Sequence, residues 1–272
     1  MSALSDALVL VGAGRMGTAL LAGWAAQGIA GRSTSVIEPT PSPALVELCR
    51  KHDIRLNPDG PHGPAGVLVL AIKPQMLDAV SGTLAALAGP TTLVVSILAG
   101  KSLGNLASRL PGVTGIVRAM PNTPAAIGRG ISGLVASPAT LGPQREFAQR
   151  LLEAVGEAVW LPDERQMDAV TAVSGSGPAY LFLFAEKLAE AARSAGLPPE
   201  LASKLARKTV EGAAALMEAE PETSPAVLRE NVTSPGGTTA AALAIFAEQN
   251  AFGTLMQQAV AAAVARGKEL AG

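Results

Sequence analysis

The chain has little that points to nucleic acid, secretion or a membrane. Of its 272 residues only 3 % are aromatic, and 21 basic residues stand against 22 acidic ones for a formal charge of -1. It has neither a basic surface to neutralise phosphates nor rings for base stacking, so nucleic acid is not expected as a partner. The single cysteine, Cys49, has no second thiol for an intrachain disulfide and no companions for a metal site, which fits a reducing cytoplasm. His52 and His62 are the only histidines, and neither joins a Ser/His/Asp or zinc arrangement, so no metal is expected. The N-terminus lacks the basic, apolar and small-residue order of a secretory leader, and a strand-like run begins at Ala7. The most apolar stretches, TLVVSILAG and AYLFLFA, fall well short of the roughly 20 uninterrupted residues of a membrane span, and none is expected.

What the chain does have is a 49 % hydrophobic content, enough for two ordinary domains with their own cores. Up to about residue 160, apolar β-branched runs alternate with helical segments: 7–11, 34–38, 66–72, 92–98 and 115–120, with shorter ones at 133–137 and 158–160. Continuous apolar strands separated by helices indicate a parallel sheet covered on both faces. After LPDERQMD no strand follows, and long alanine-rich helices are expected at about 166–195, 199–217, 225–231, 238–249 and 251–270. The expected organisation is an α/β Rossmann-like domain over 1–162, with a mostly parallel sheet, and an all-α domain over 163–272. The stretch AAALAIFAEQNAFGTLMQQAVAAAVA offers water little polar surface. A helical domain of this size cannot hide it alone, so two copies are expected to interlock.

Six motifs carry chemistry. VGAGRMG places Gly12, Gly14 and Gly17 directly after a strand and at the start of a helix. This is the dinucleotide fingerprint: a tight turn, close approach of the pyrophosphate, and helix against strand. The second strand ends at Glu38, where an acidic side chain holds the ribose hydroxyl of NAD and repels the extra phosphate of NADP; Thr40 and Ser42 could instead donate to that phosphate. AIKPQ, with Lys73, SILAG, and RAMPNTP, with Asn122 between Pro121 and Pro124, end later strands at the same ligand-binding edge. VSGSGPAY interrupts a helical pattern with Gly175, Gly177 and Pro178, so a kink is expected beside Ser174 and Ser176. SPGGTT, residues 234–239, opens a helix with two glycines and two hydroxyl donors, an arrangement suited to a carboxylate; an ordinary cap by Ser234 or Thr238 explains only one polar residue. With no histidine placed as acid or base, a protonated imine, which accepts hydride directly, is an apt substrate.

These residues resemble the pyrroline-5-carboxylate reductase family over nearly the whole chain. GAGRMG, AIKPQ, VRAMPNTPA, VSGSGPAY and VTSPGGTT occur in that family's order and spacing. The resemblance implies the last step of proline biosynthesis, reduction of 1-pyrroline-5-carboxylate to L-proline with NADPH or NADH. Cofactor contacts then fall on Gly12, Ala13, Gly14, Arg15, Met16 and Gly17, on Ala71, Ile72, Lys73 and Pro74, and on Ile97, Leu98 and Ala99, with Asn57 a looser match; Glu38 and Asn122 are cofactor candidates from their own strand-end positions, and Glu38 departs from the small hydroxyl or basic residues that many relatives carry there. The substrate carboxylate falls on Ser234, Gly236, Gly237 and Thr238; Thr239 meets the ring nitrogen, Val232 walls the ring and Glu222 lies on the substrate side, where Ser176, beside the expected kink, is a further candidate on its own placement. Glu222 aligns with an acidic residue the family places near Lys73, which implies a role for Lys73 in the active-site charge balance beside the catalytic Thr239. Leu98 stands where relatives commonly carry alanine and could narrow the nicotinamide pocket. The family also implies a homodimer through C-terminal helices, often assembled into decamers, with active sites shared between subunits. Two alternatives remain at this stage. A 3-hydroxyacid or other cyclic-imine oxidoreductase is one, although the former needs a lysine midway along the interdomain helix and the first here is Lys187. A non-catalytic nucleotide sensor or a pyridoxal-phosphate carrier is the other, and a sensor would have no reason to keep SPGGTT.

Overall fold

The structure, a computed structural model, describes residues 7–59 and 63–271. Its first compact unit is built on an eight-stranded sheet of order β3-β2-β1-β4-β5-β6-β7-β8. The strands are β1 (Leu8–Val11), β2 (Thr34–Ile37), β3 (Arg55–Leu56), β4 (Val67–Leu70), β5 (Leu93–Ser96), β6 (Gly115–Met120), β7 (Gly130–Ala136) and β8 (Gly156–Trp160). The first six run parallel, whereas β7 pairs antiparallel with β6, and β8 pairs parallel with β7. The short edge strand β3 was not expected from sequence, because two residues carry no periodicity. The other strands fall where the apolar runs placed them.

Side chains alternate between the two faces of this sheet, so every central strand feeds two cores. Leu8, Leu10, Val67, Val69, Leu93 and Val95 pack on one face against Leu20, Leu21 and Trp24 of α1 (Arg15–Ala26), Leu45 of α2 (Pro43–Lys51) and Leu151 of α5 (Gly142–Glu153). Val9, Val11, Leu68, Leu70 and Val94 pack on the other against Leu77 and Leu84 of α3 (Leu77–Leu87) and Leu106 of α4 (Leu103–Arg109). Burial on both faces is why these strands read as unbroken apolar runs.

The composition change near 162 lies close to the end of β8, but the compact units divide between Ser176 and Gly177, and residues 263–271 group with the first. The difference has a packing cause. After the last strand, α6 (Met167–Val170) and a π-turn over Thr171–Gly175 remain on the sheet: Met167 and Ala172 are buried, and Val170 Cγ1 lies 2.8 Å from where a Cβ on Gly133 would stand. The change of composition marks where strands stop, and the chain leaves the sheet only after α6 and the π-turn. The π-turn is the break that Gly175, Gly177 and Pro178 announced.

The second unit, residues 177–262, contains α7 (Gly177–Ser194), α8 (Pro199–Ala219), α9 (Pro225–Asn231), α10 (Thr238–Ala247) and the first part of α11 (Ala251–Ala271). Helices α7 and α8 pack side by side, yet Ala202 and Ala206 are the buried hydrophobics of this unit among the described residues. Phe182, Ile245 and Leu255 are 70, 68 and 60 % exposed. An apolar surface on this scale marks an interaction site rather than a finished exterior. Among the described residues no helix is long and apolar enough to cross a membrane.

Trp24 joins α1 to α5: the ring is fully buried and its Nε1 donates to the Leu151 carbonyl at 2.7 Å. Trp24→Phe keeps most of the volume but leaves that carbonyl without its donor, so a loss of about 1–3 kcal/mol is expected. Trp24→Ala should cost about 3–5 kcal/mol. Urea unfolding of both variants checks the pair; equal and negligible shifts would show that the indole does not hold these helices together.

Candidate active site

The parallel strands are in register at their carboxyl ends, with Val11 opposite both Ile37 and Leu70, and Leu70 opposite Ser96. The chain order reverses between β1 and β4, and a crevice opens at such a switch point. Gly12 N donates to Ile37 O at 2.9 Å and Ala71 N to Val11 O at 2.8 Å, so three strand ends are tied into one rim. Gly12 has φ +86°, and a Cβ there would lie 2.7 Å from the Ala71 carbonyl and Ile72 nitrogen. On Gly17 a Cβ would lie 2.5 Å from Gly12 O. Gly14 differs: its Cβ would meet nothing within 4 Å, and it is the N-cap of α1 with no side-chain hydrogen bond. Two of the three glycines are required by the protein's own packing. The third borders open space before unfilled helix amides, which is the cradle a pyrophosphate fits. Ala13 is buried in the loop, Arg15 is exposed and Met16 is half-buried.

Glu38 follows β2 and turns its carboxylate back onto the loop. Its Oε2 accepts from Ala13 N at 2.8 Å, and its Oε1 accepts from Thr40 N at 3.1 Å and Thr40 Oγ1 at 3.3 Å. Asn57, at φ +45°, brackets the backbone of the same residue: its Oδ1 accepts from Glu38 N and its Nδ2 donates to Glu38 O, both at 2.8 Å. The Asn57 side chain is thus spent on holding the end of β2. Ser42 accepts from Leu45 N as the N-cap of α2.

Further along the rim, Ala71, Ile72 and Pro74 are half-buried and Lys73 is exposed at the start of a short 3-10 turn, Pro74–Met76. Ile97 and Ala99 are half-buried, but Leu98 is 2 % exposed within the second core. The expected narrowing of the pocket by Leu98 therefore does not occur, because its side chain faces into the core and not the crevice. Asn122 is likewise a strut: its Oδ1 accepts from Ile131 N at 3.0 Å and its Nδ2 donates to Ser174 O at 3.2 Å, so its amide joins β7 to the π-turn. Sequence reading missed Arg118, 6 % exposed on β6, whose guanidinium meets Glu164 at 3.0 Å while Glu164 also accepts from Leu103 N at 2.8 Å. An arginine inside an apolar strand was the available signal.

In the helical unit, Gly236 has φ +70° and Gly237 N donates to Ser234 O at 3.0 Å, closing a turn directly before α10. Gly237 is the N-cap and no side chain caps this helix, so neither Ser234 nor Thr238 spends its hydroxyl there. The first amides of α10 and the Ser234, Thr238 and Thr239 hydroxyls occupy one short stretch of chain, with Thr239 half-buried and Ser234 and Thr238 exposed. Val232, 62 % exposed, ends α9, and Glu222 is exposed in the segment before it. Ser176 closes the π-turn through its N–H to Thr171 O at 2.9 Å. Lys73 and Glu222 belong to separate compact units. An open groove of about 770 Å³ in the helical unit is lined by Phe184, Leu243, Phe246 and Phe252, and by none of these site residues.

Among the described residues no group of His, Cys, Asp or Glu could hold a metal. His52 ends α2, and His62 lies outside the described residues. Cys49 is 2 % exposed and burial pushes its thiol pKa up, so it is a packing residue and not a nucleophile.

Fold and crevice together define an oxidoreductase of the nicotinamide-dinucleotide class. Residues 7–100 match the family described as NADP oxidoreductase, coenzyme F420-dependent, and residues 164–270 match pyrroline-5-carboxylate reductase dimerisation. A curated relative, the pyrroline-5-carboxylate reductase of Haemophilus influenzae, is 40 % identical over 97 % of each chain. The solved pyrroline-5-carboxylate reductase of Coxiella burnetii superposes with a TM-score of 0.88 at 35 % identity, covering 98 % of this chain and 99 % of that one. The Plasmodium falciparum pyrroline carboxylate reductase, solved with NADP bound, has a TM-score of 0.76 at 28 % identity over 98 % of each chain. The chain belongs to the pyrroline-5-carboxylate reductase family.

The contrast between the glycines is testable. Gly14→Val should cost no more stability than the poorer N-cap explains and weaken dinucleotide binding at least about tenfold, a change of roughly 1.4 kcal/mol. Gly12→Val should lower the melting temperature much further. A Gly14 variant as destabilised as the Gly12 variant, or unchanged nucleotide binding, would contradict the open-cradle reading.

Proposed function

We propose that this protein reduces the C=N bond of 1-pyrroline-5-carboxylate to give L-proline, the last step of proline biosynthesis, with NADPH or NADH as reductant. The observation that carries the reading is the uncapped start of α10, where free amides, a positive-φ glycine and two hydroxyls stand together after Ser234. Helix amides and the helix dipole favour an anion by about 0.3–1 kcal/mol in exposed settings and up to about 2 kcal/mol when partly buried. Hydroxyl donors add charge-assisted hydrogen bonds to a carboxylate.

Bound NAD(P)H supplies a hydride to the imine carbon. The chain's part is placement. Ser234, Gly236, Gly237 and Thr238 hold the carboxylate, and the Thr239 hydroxyl oxygen accepts from the protonated ring nitrogen, fixing the iminium in one orientation. Val232 supplies an apolar wall, Ser176 and Glu222 complete the substrate side, and Lys73 contributes positive charge near the reductant. The iminium already carries its proton, so the addition of hydride alone yields the neutral amine, and no histidine is needed. The remaining contacts of the fingerprint loop, Ala71–Pro74 and Ile97–Ala99 serve the dinucleotide.

The exposed apolar surface of α7, α10 and α11 supports a homodimer through these helices, and assembly beyond the dimer toward a decamer rests on the family resemblance alone. The single, buried cysteine suits the cytoplasm.

Steady-state reduction of racemic pyrroline-5-carboxylate tests the reading. Turnover is expected with at least one reductant. Thr239→Val should lower kcat about tenfold or more, and Ser234→Ala should chiefly raise KM, each corresponding to the loss of about one hydrogen bond to a charged group. Absence of turnover with either reductant would sink the reductase assignment and favour a nucleotide sensor.

A further inference from the structure

We propose that the Glu38 carboxylate, fixed by its own neighbours, makes this protein select NADH over NADPH. The inference rests on the dinucleotide reading of the crevice and adds which dinucleotide it takes. A carboxylate offers about four acceptor directions. Three are filled from within the protein, one on Oε2 by Ala13 N and two on Oε1 by the Thr40 amide and hydroxyl. The remaining direction, on the oxygen turned toward the fingerprint loop, accepts one more donor. A ribose 2'-hydroxyl brings a proton to that position; a 2'-phosphate brings none, and adds negative charge against a carboxylate already in place.

The surroundings give that phosphate little compensation. Thr40, whose hydroxyl could have served it, is turned onto Glu38, and Ser42 caps α2. Between Ile37 and Arg50 the sequence holds no basic residue, and Arg50 is engaged by Glu47 at 2.7 and 3.0 Å. Arg15 at the head of α1 is the one basic side chain on the fingerprint loop. Asn57 acts as a positioning residue. Its two bonds to the Glu38 backbone stop the chain from swinging the carboxylate aside, and its φ of +45° lets glycine replace it without strain.

The test is calorimetric titration of the full-length protein with NADH and NADPH separately, without imine substrate. NADH is expected to bind at least about tenfold more tightly, equivalent to 1.4 kcal/mol. Glu38→Gln should close most of that gap, chiefly by tightening NADPH. Asn57→Gly keeps the carboxylate but frees it, and should narrow the gap, at a modest cost in melting temperature from the two bonds lost at the end of β2. NADPH binding as tightly as NADH in the wild type, through Arg15 for instance, would overturn the proposal, as would an unchanged ratio in Glu38→Gln. If neither nucleotide bound, the dinucleotide reading would fall and this inference with it.

Discussion

The structure depends on the two backbone bonds that tie Gly12 to Ile37 and Ala71 to Val11. They bring the ends of β2, β1 and β4 to one level, and the chain order reverses between β1 and β4 just there. The close approach that Gly12 permits to Ala71 makes this rim possible, and any side chain at that glycine would push the two loops apart. From this constraint follow the opening beside Gly14, the direction of α1, and the placement of Glu38 against the loop amide. The binding crevice is thus a by-product of strand registry, completed by one glycine that the fold itself does not need.

The helical unit is governed by the opposite condition, a shortage of burial within one chain. Its alanine-rich helices place Phe182, Ile245 and Leu255 in the open, while the described residues offer Ala202 and Ala206 as its buried hydrophobics. Free energy from apolar burial, about 25 cal/mol for each Å² removed from water, is available to such helices only through association. SPGGTT lies in this same unit, so under the proposed reading the segment that holds substrate is coupled to assembly.

Much of this was legible in the sequence, for identifiable reasons. Strands buried on both faces are written as unbroken apolar runs, so LVLV and VLVL could be placed closely. Glycine fingerprints and the proline-glycine helix start are local signals, and both motifs sit where they were expected. What escaped depends on tertiary contact. The two-residue β3 has no period, the division of units follows packing of Met167 and Ala172 that composition does not reveal, and Leu98 faces the core although its motif lies on the rim. Asn57 and Asn122 read as ligand contacts, whereas their amides are engaged by the protein's own backbone. A side-chain amide near a site gives the same sequence signal whether it holds a ligand or a strand.

The most direct measurement for the central claim is the fate of the hydride. Pyrroline-5-carboxylate is incubated with the protein and nicotinamide cofactor deuterated at the transferred position, and the product is read by mass spectrometry and NMR. The account predicts proline carrying one deuterium on the ring carbon that was the imine carbon. Proline without deuterium, or no proline at all, would contradict it.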